Sequence, residues 1–128
     1  SNQQFIYSLR RMLDPIKEHV DNNFNPLPAE YTKEFAPVRQ KINDLMRMSC
    51  EQIETSRYEN YREILAEADA CKDELSVLRK KHIDRIQHLS DNSLMQISLV
   101  YLNVLQESQE FLSVMRHQLR AAKKFMEK

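Results

Sequence analysis

Two aspartates four residues apart, Asp69 and Asp73, are the pair in this sequence best spaced for metal chemistry. On a helix that spacing sets both carboxylates on one side, one turn apart. Glu67 and Glu74 add to the acidity around them. A fold-back at Ser90-Asp91-Asn92 brings Glu110 level with Asp73, and another near Arg57-Tyr58 brings Asp44 close to the level of Cys71. Asp44, Asp69, Asp73 and Glu110 would then approach one patch from three helices. Oxygen-rich patches suit hard cations such as Mg²⁺, Ca²⁺ or Mn²⁺, and denser ones hold iron. The same fold-back sets Glu67 against Arg116 and Glu63 against Arg120, so the acidity also has basic partners, and exposed pairs of that kind add little stability.

The other chemistry-bearing residues are expected to be structural. His19, His82, His88 and His117 are preceded at three residues by Ile16, Arg79, Arg85 and Val114, so no Glu-x-x-His pair of the di-iron bundle type exists. His-Glu-x-x-His is absent as well. Only His82 falls squarely in an apolar stripe, where the expected role is a hydrogen-bonded core residue. Cys50 and Cys71 are the only cysteines, and the fold-back leaves them offset by roughly 9 Å along the helices, beyond the separation of about 7 Å that a disulfide spans. Both thiols are expected to be buried and reduced, as in a cytosolic setting. The sequence has no glycine, which removes Gly-rich phosphate loops, dinucleotide-binding turns and nucleophile elbows. No catalytic and no cofactor-binding residue is therefore assigned. Lys plus Arg and Asp plus Glu stand at 19 each, so no overall field recruits nucleic acid.

The elements that must position these residues are helices. With 128 residues, 41% hydrophobic and 30% charged, the chain is one globular domain, 1–128. Apolar residues recur at three and four spacing almost throughout. Phe5, Leu9, Met12, Ile16 and Val20 mark a first, lead-in helix over 1–24, with a kink or restart expected at Asp14-Pro15. Asn22 to Pro28 reads as a loop. Phe35, Val38, Ile42, Leu45, Ser49 and Ile53 mark the second helix, with Thr32 as its cap and Pro37 tolerated in the first turn. The third stripe is Tyr61, Leu65, Ala68, Cys71, Leu75, Leu78, His82, Ile86 and Leu89. The fourth is Leu94, Ile97, Tyr101, Val104, Ser108, Phe111, Met115, Leu119, Ala122 and Met126, with Ser90-Asp91-Asn92 breaking the third helix and capping the fourth. Short connections force antiparallel neighbours, so the expected fold is all-α: an up-down bundle of three long core helices over 30–126 plus the N-terminal helix. Arg116, Arg120, Lys123, Lys124 and Lys128 crowd the end of the fourth helix, where cations meet the negative end of the helix dipole, or lipid phosphate or a partner. The charge-free stretch Asn92 to Gln106 is shorter than the roughly 20 apolar residues of a membrane span. The opening Ser1-Asn2-Gln3 lacks an initiator Met and reads as a tag scar joined to a piece of a longer protein.

Helix 3, Asn60-Tyr-Arg-Glu-Ile-Leu-Ala-Glu-Ala-Asp-Ala-Cys-Lys-Asp-Glu-Leu75, resembles the second helix of a PhoU-like three-helix repeat, which carries an Asp-x-x-x-Asp type metal motif. Helix 4, from Leu105 through Glu110, Met115 and Arg120 to Phe125, is similar to the tail of bacterial Na⁺/phosphate cotransporters of the type II-related group, which end in a PhoU-like domain. The resemblance covers about residues 30 to 126. It implies a non-catalytic regulatory domain at the cytoplasmic face of the bacterial inner membrane, within an integral membrane protein. Its partners would be the membrane portion of the parent transporter or a regulatory protein, with a homodimer as a further pairing. In some members a multinuclear metal cluster sits on acidic residues, and of the family's motif Asp69 and Asp73 are matched here.

Overall fold

A computed structural model describes residues 2–127. Among them the chain forms four α-helices and no strand: α1 (Asn2–Phe24), α2 (Ala29–Thr55), α3 (Tyr61–Gln87) and α4 (Asn92–Met126). Lys128, the last cation of the terminal run, lies outside the described residues.

Cross-helix pairs fix the topology. Asp21 meets Arg39 near one end of the α1–α2 pair, and Asn2 meets Ser56 at the other. Lys41 meets Glu74 and Lys81 meets Glu34 between α2 and α3. Asp69 meets Arg116 and Ser76 meets Gln109 between α3 and α4. Phe5 packs on Phe125, and His19 reaches Glu107, between α1 and α4. Every sequential neighbour is thus antiparallel, and the ring closes as α1 lies against α4. Far from only leading in, α1 gives Leu9, Leu13 and Val20 to the core and makes its most extensive contact with α4. None of the four helices is long and apolar enough to cross a membrane.

Three local expectations need correction. Pro15 neither breaks nor restarts α1, which runs unbroken through it. Proline deprives the carbonyl four residues earlier of its partner. That residue is Arg11, and both Arg11 and Pro15 face solvent, where water replaces the lost bond. Pro37 sits in the interior of α2, not its first turn, and is exposed for the same reason. Thr32 is not the cap. The helix starts at Ala29, because extended Pro28 offers its carbonyl to the amides of Tyr31 and Thr32 at 3.0 and 3.1 Å, while the Thr32 hydroxyl donates to the Ala29 carbonyl. The expected cap on α4 is present: the Asp91 carboxylate accepts from the Ser93 amide at 2.9 Å. At the end of α2 the left-handed position that usually falls to glycine is held by Ser56 at φ 55°.

The core runs the length of the bundle, from Ile53, Ile64 and Leu119 near one end, through Leu45, Leu75, Leu112 and Phe111, to Phe35, Tyr31 and Tyr101 near the other. Its stripes are displaced by one residue at three places. Leu13 is buried and Met12 is 49% exposed; Ile64 is buried and Leu65 half-buried; Ser98 is buried and Ile97 is 37% exposed. The last shift has a cause in the fold. With Phe5 opposite Phe125 and His19 opposite Glu107, α1 ends about level with Asn103 at 1.5 Å per residue. The first turns of α4 therefore overhang it. Val100 lies two turns before Glu107 on the side that α1 covers lower down, and Leu94, Ile97 and Val100 stand exposed there.

Candidate functional site

The acidic residues do not assemble as expected. Among the described residues, no group of three or more histidine, cysteine, aspartate or glutamate side chains is arranged to hold a metal ion. Asp69 is taken by Arg116, whose Nε stands 3.1 Å from Oδ1. Asp44 accepts from Gln40 at 3.1 Å and lies 3.7 Å from Arg47, both on its own helix. Glu74 pairs with Lys41 at 2.7 Å. Asp73 and Glu110 are exposed and enter no ion pair among the described residues. Asp69 and Asp73 thus share one face of α3, while Asp44 and Glu110 do not join them. The α3–α4 register explains part of this. It sets Asp69, not Glu67, against Arg116, two residues from the alignment that a fold-back at Asp91 implies.

The polar constellation that the fold does build lies at the other end of the bundle and centres on His82. The ring is fully buried. Its Nε2 lies 2.7 Å from the Ser98 carbonyl oxygen, which can only accept, so Nε2 carries a proton. Its Nδ1 lies 3.0 and 3.2 Å from the Nη2 and Nε of Arg85, which can only donate, so Nδ1 offers a lone pair. Both partners together demand a neutral ring of defined tautomer. Around it Tyr31 and Tyr101 stack on each other at 4.7 Å, and each sets its ring edge-on to the imidazole. The Tyr31 hydroxyl pairs with the buried Ser98 hydroxyl at 3.0 Å, and the Tyr101 hydroxyl donates to Glu34 at 2.8 Å. Glu34 receives Arg85 at 2.5 Å and Lys81 at 3.1 Å, while Arg85 also reaches Glu30 at 3.2 Å and lies over the Tyr31 ring. Three helices thereby share one hydrogen-bonded unit.

Charge states follow from this geometry. Burial pushes the His82 imidazole below its ordinary value of 6.5, and the Arg85 charge adds to the push, against the Ser98 hydrogen bond and the Glu34 and Glu30 carboxylates. Burial alone would raise Glu34, but its bonds from Arg85, Tyr101 and Lys81 prevail and hold it below 4.5. Burial and the neighbouring Glu34 charge raise the Tyr101 phenol, which stays a donor. The site therefore holds a neutral base with no solvent access and both ring nitrogens engaged, an arrangement that positions helices and has no free lone pair for an incoming proton. Both cysteines are buried and unpaired, and burial lifts the Cys71 thiol to about 11 and raises Cys50 as well, so neither is poised as a thiolate nucleophile.

A pH dependence follows. Between its depressed folded value and 6.5, His82 is protonated in the unfolded chain and not in the folded one, so acidification favours unfolding. The stability is complete above 6.5 and is lost as pH falls toward the folded value; Glu34 and Asp21, both held low, add a second loss below the ordinary carboxylate range. The melting temperature should drop between about pH 7 and about pH 5.5 in the natural chain and much less in His82→Gln, which keeps a donor and an acceptor without titrating. Equal melting curves for the two across that interval would show that His82 does not carry the acid sensitivity.

Fold and site together define a four-helix up-down bundle locked at one end by a buried histidine network. No family model, no curated protein and no solved structure matches the chain.

Proposed function

We propose that this chain is a non-catalytic regulatory domain of the PhoU-like kind, serving a Na⁺/phosphate cotransporter from the cytoplasmic face of the bacterial inner membrane. Its partner on this reading is the membrane portion of the same transporter. The observation that carries the reading is the run of antiparallel helices in the order that the resemblance of residues 60–75 and 105–125 implies, with a tight turn between α2 and α3 and a capped turn before α4. Two further features support it. The buried polar unit at His82 is closed and serves to fix helix positions. Acidic and basic residues are also equal in number, at 19 each, which suits a domain that works through contact with a defined neighbour and not through a global field.

The test is sodium-driven phosphate uptake by cells carrying the full-length parent protein, with and without the segment corresponding to this chain. Removing the segment should leave transport in place and abolish its response to a change in external phosphate. Uptake that still adjusts to phosphate exactly as in the intact protein would overturn the assignment.

A further inference from the structure

The end of α4 and the start of α3 enclose a shallow groove of about 410 Å³. Its walls are Tyr61, His117, Arg120, Lys123, Lys124 and Glu127, with the small side chain of Ala121 completing the lining. Three permanent cations and a histidine thus face one carboxylate. That carboxylate is committed: Glu127 accepts from Lys123, which also lies over the Tyr61 ring at 5.0 Å. Arg120 and Lys124 are left without an ion pair among the described residues. They stand one turn apart on the same helix face, where like charges repel. The helix dipole favours cations in the last turn only, which covers Lys123 and Lys124 but neither Arg120 nor His117. By contrast, Arg116, one turn earlier than Arg120, is matched to Asp69, and Arg39, Lys41, Lys81 and Arg85 are each matched to a carboxylate on another helix.

We propose that this groove binds a phosphate-type oxyanion. The Arg120 guanidinium supplies a planar fork for two oxygens, Lys124 a point charge one turn away, and His117 a further donor from the preceding turn. A bound dianion would remove the repulsion between Arg120 and Lys124, which no ion pair among the described residues offsets. Free phosphate and a phosphorylated lipid headgroup present the same oxygens. The site stands on this charge geometry and not on the transporter reading; only its use in phosphate control would rest on that reading.

The test titrates the whole chain with inorganic phosphate at constant ionic strength, following backbone amide shifts, and in a second arm sediments it with phosphatidylcholine vesicles with and without phosphatidic acid. Saturable shifts centred on Tyr61, His117, Arg120 and Lys124 are expected. The double substitution Arg120→Gln with Lys124→Gln should weaken binding roughly tenfold or more, the scale of a lost charge-assisted hydrogen bond, with circular dichroism unchanged because both residues are exposed. Arg11→Gln, which removes an exposed cation elsewhere, should bind as the natural chain does. Response to free phosphate without vesicle binding identifies the free ion as ligand, and binding confined to phosphatidic acid vesicles identifies the headgroup. Shifts that chloride reproduces, no response in either arm, or a double variant that binds like the natural chain overturns the proposal. If binding holds while loss of the segment leaves phosphate-responsive uptake unchanged, the site stands and the transporter assignment falls.

Discussion

Tyr101→Ala is expected to cost about 4 kcal/mol of folding stability, in the middle of the range for removing a buried aromatic ring. Tyr101 is fully buried and touches residues of both α2 and α3 at this end of the bundle. Its ring stacks on Tyr31 with an interplanar angle of 7°, meets His82 edge-on at 4.7 Å and approaches Phe35 at 6.4 Å. Such aromatic contacts add about 0.5 to 1.5 kcal/mol each beyond the buried area. Truncation also opens a cavity beside a neutral imidazole and takes a donor from a half-buried carboxylate. Tyr101→Phe separates the two contributions, since it keeps the ring and removes only the bond to Glu34; it should cost about 1 to 2 kcal/mol. Urea unfolding of both variants measures the difference. A loss below about 2 kcal/mol for the alanine variant would mean that the end of the bundle repacks around the void, and that Tyr101 is not its central support.

The sequence made the helices legible because the apolar period persists with only short interruptions, and Asp91 declared its cap. It made the rotation of each helix less legible. At Met12-Leu13, Ile64-Leu65 and Leu94 to Ser98, two nearby residues both fit a three-and-four pattern, and which one turns inward depends on the neighbouring helix. For α4 that neighbour ends early, so Ile97 loses its cover and the small Ser98 goes in to meet His82 and Tyr31. The carboxylates failed to group for a related reason: a two-residue change of register gives Asp69 to Arg116, and α2 turns Asp44 toward its own neighbours. His82 was readable as a hydrogen-bonded core residue, but its partners were not. A signal for them existed. Glu30 and Glu34 on α2, and Lys81 and Arg85 on α3, are two pairs of like charges at four-residue spacing on consecutive antiparallel helices. Each pair is unfavourable alone and satisfied when the helices meet, whereas the run at Arg120 and Lys124 meets no such complement among the described residues.

Arg85→Ala is expected to cost about 3 kcal/mol, because it strands charge and hydrogen-bonding capacity that the fold has already withdrawn from water. Arg85 is 19% exposed and Glu34 is 13% exposed, so neither member of the pair is freely solvated. Without the guanidinium, Glu34 keeps Lys81 and the Tyr101 hydroxyl but loses its shortest partner, and Nδ1 of His82 is left as a buried acceptor with no donor. The double substitution Arg85→Ala with Glu34→Gln removes the stranded charge and should recover about 1 to 2 kcal/mol of the loss relative to the sum of the single costs. A cycle of the natural chain, both single variants and the double variant, measured by denaturant unfolding near neutral pH, tests this. Strict additivity would mean that Arg85 stabilises through its guanidinium over the Tyr31 ring and its bond to His82, and that the ion pair is a passenger. Strong coupling would instead identify the Glu34–Arg85 contact as the join between α2 and α3, with His82 held neutral so that the join can extend to α4. The acid-induced fall in melting temperature should then be smaller in Arg85→Ala, since loss of the guanidinium that opposes a proton on the ring raises the folded value of His82 toward 6.5 and narrows the interval in which only the unfolded chain is protonated.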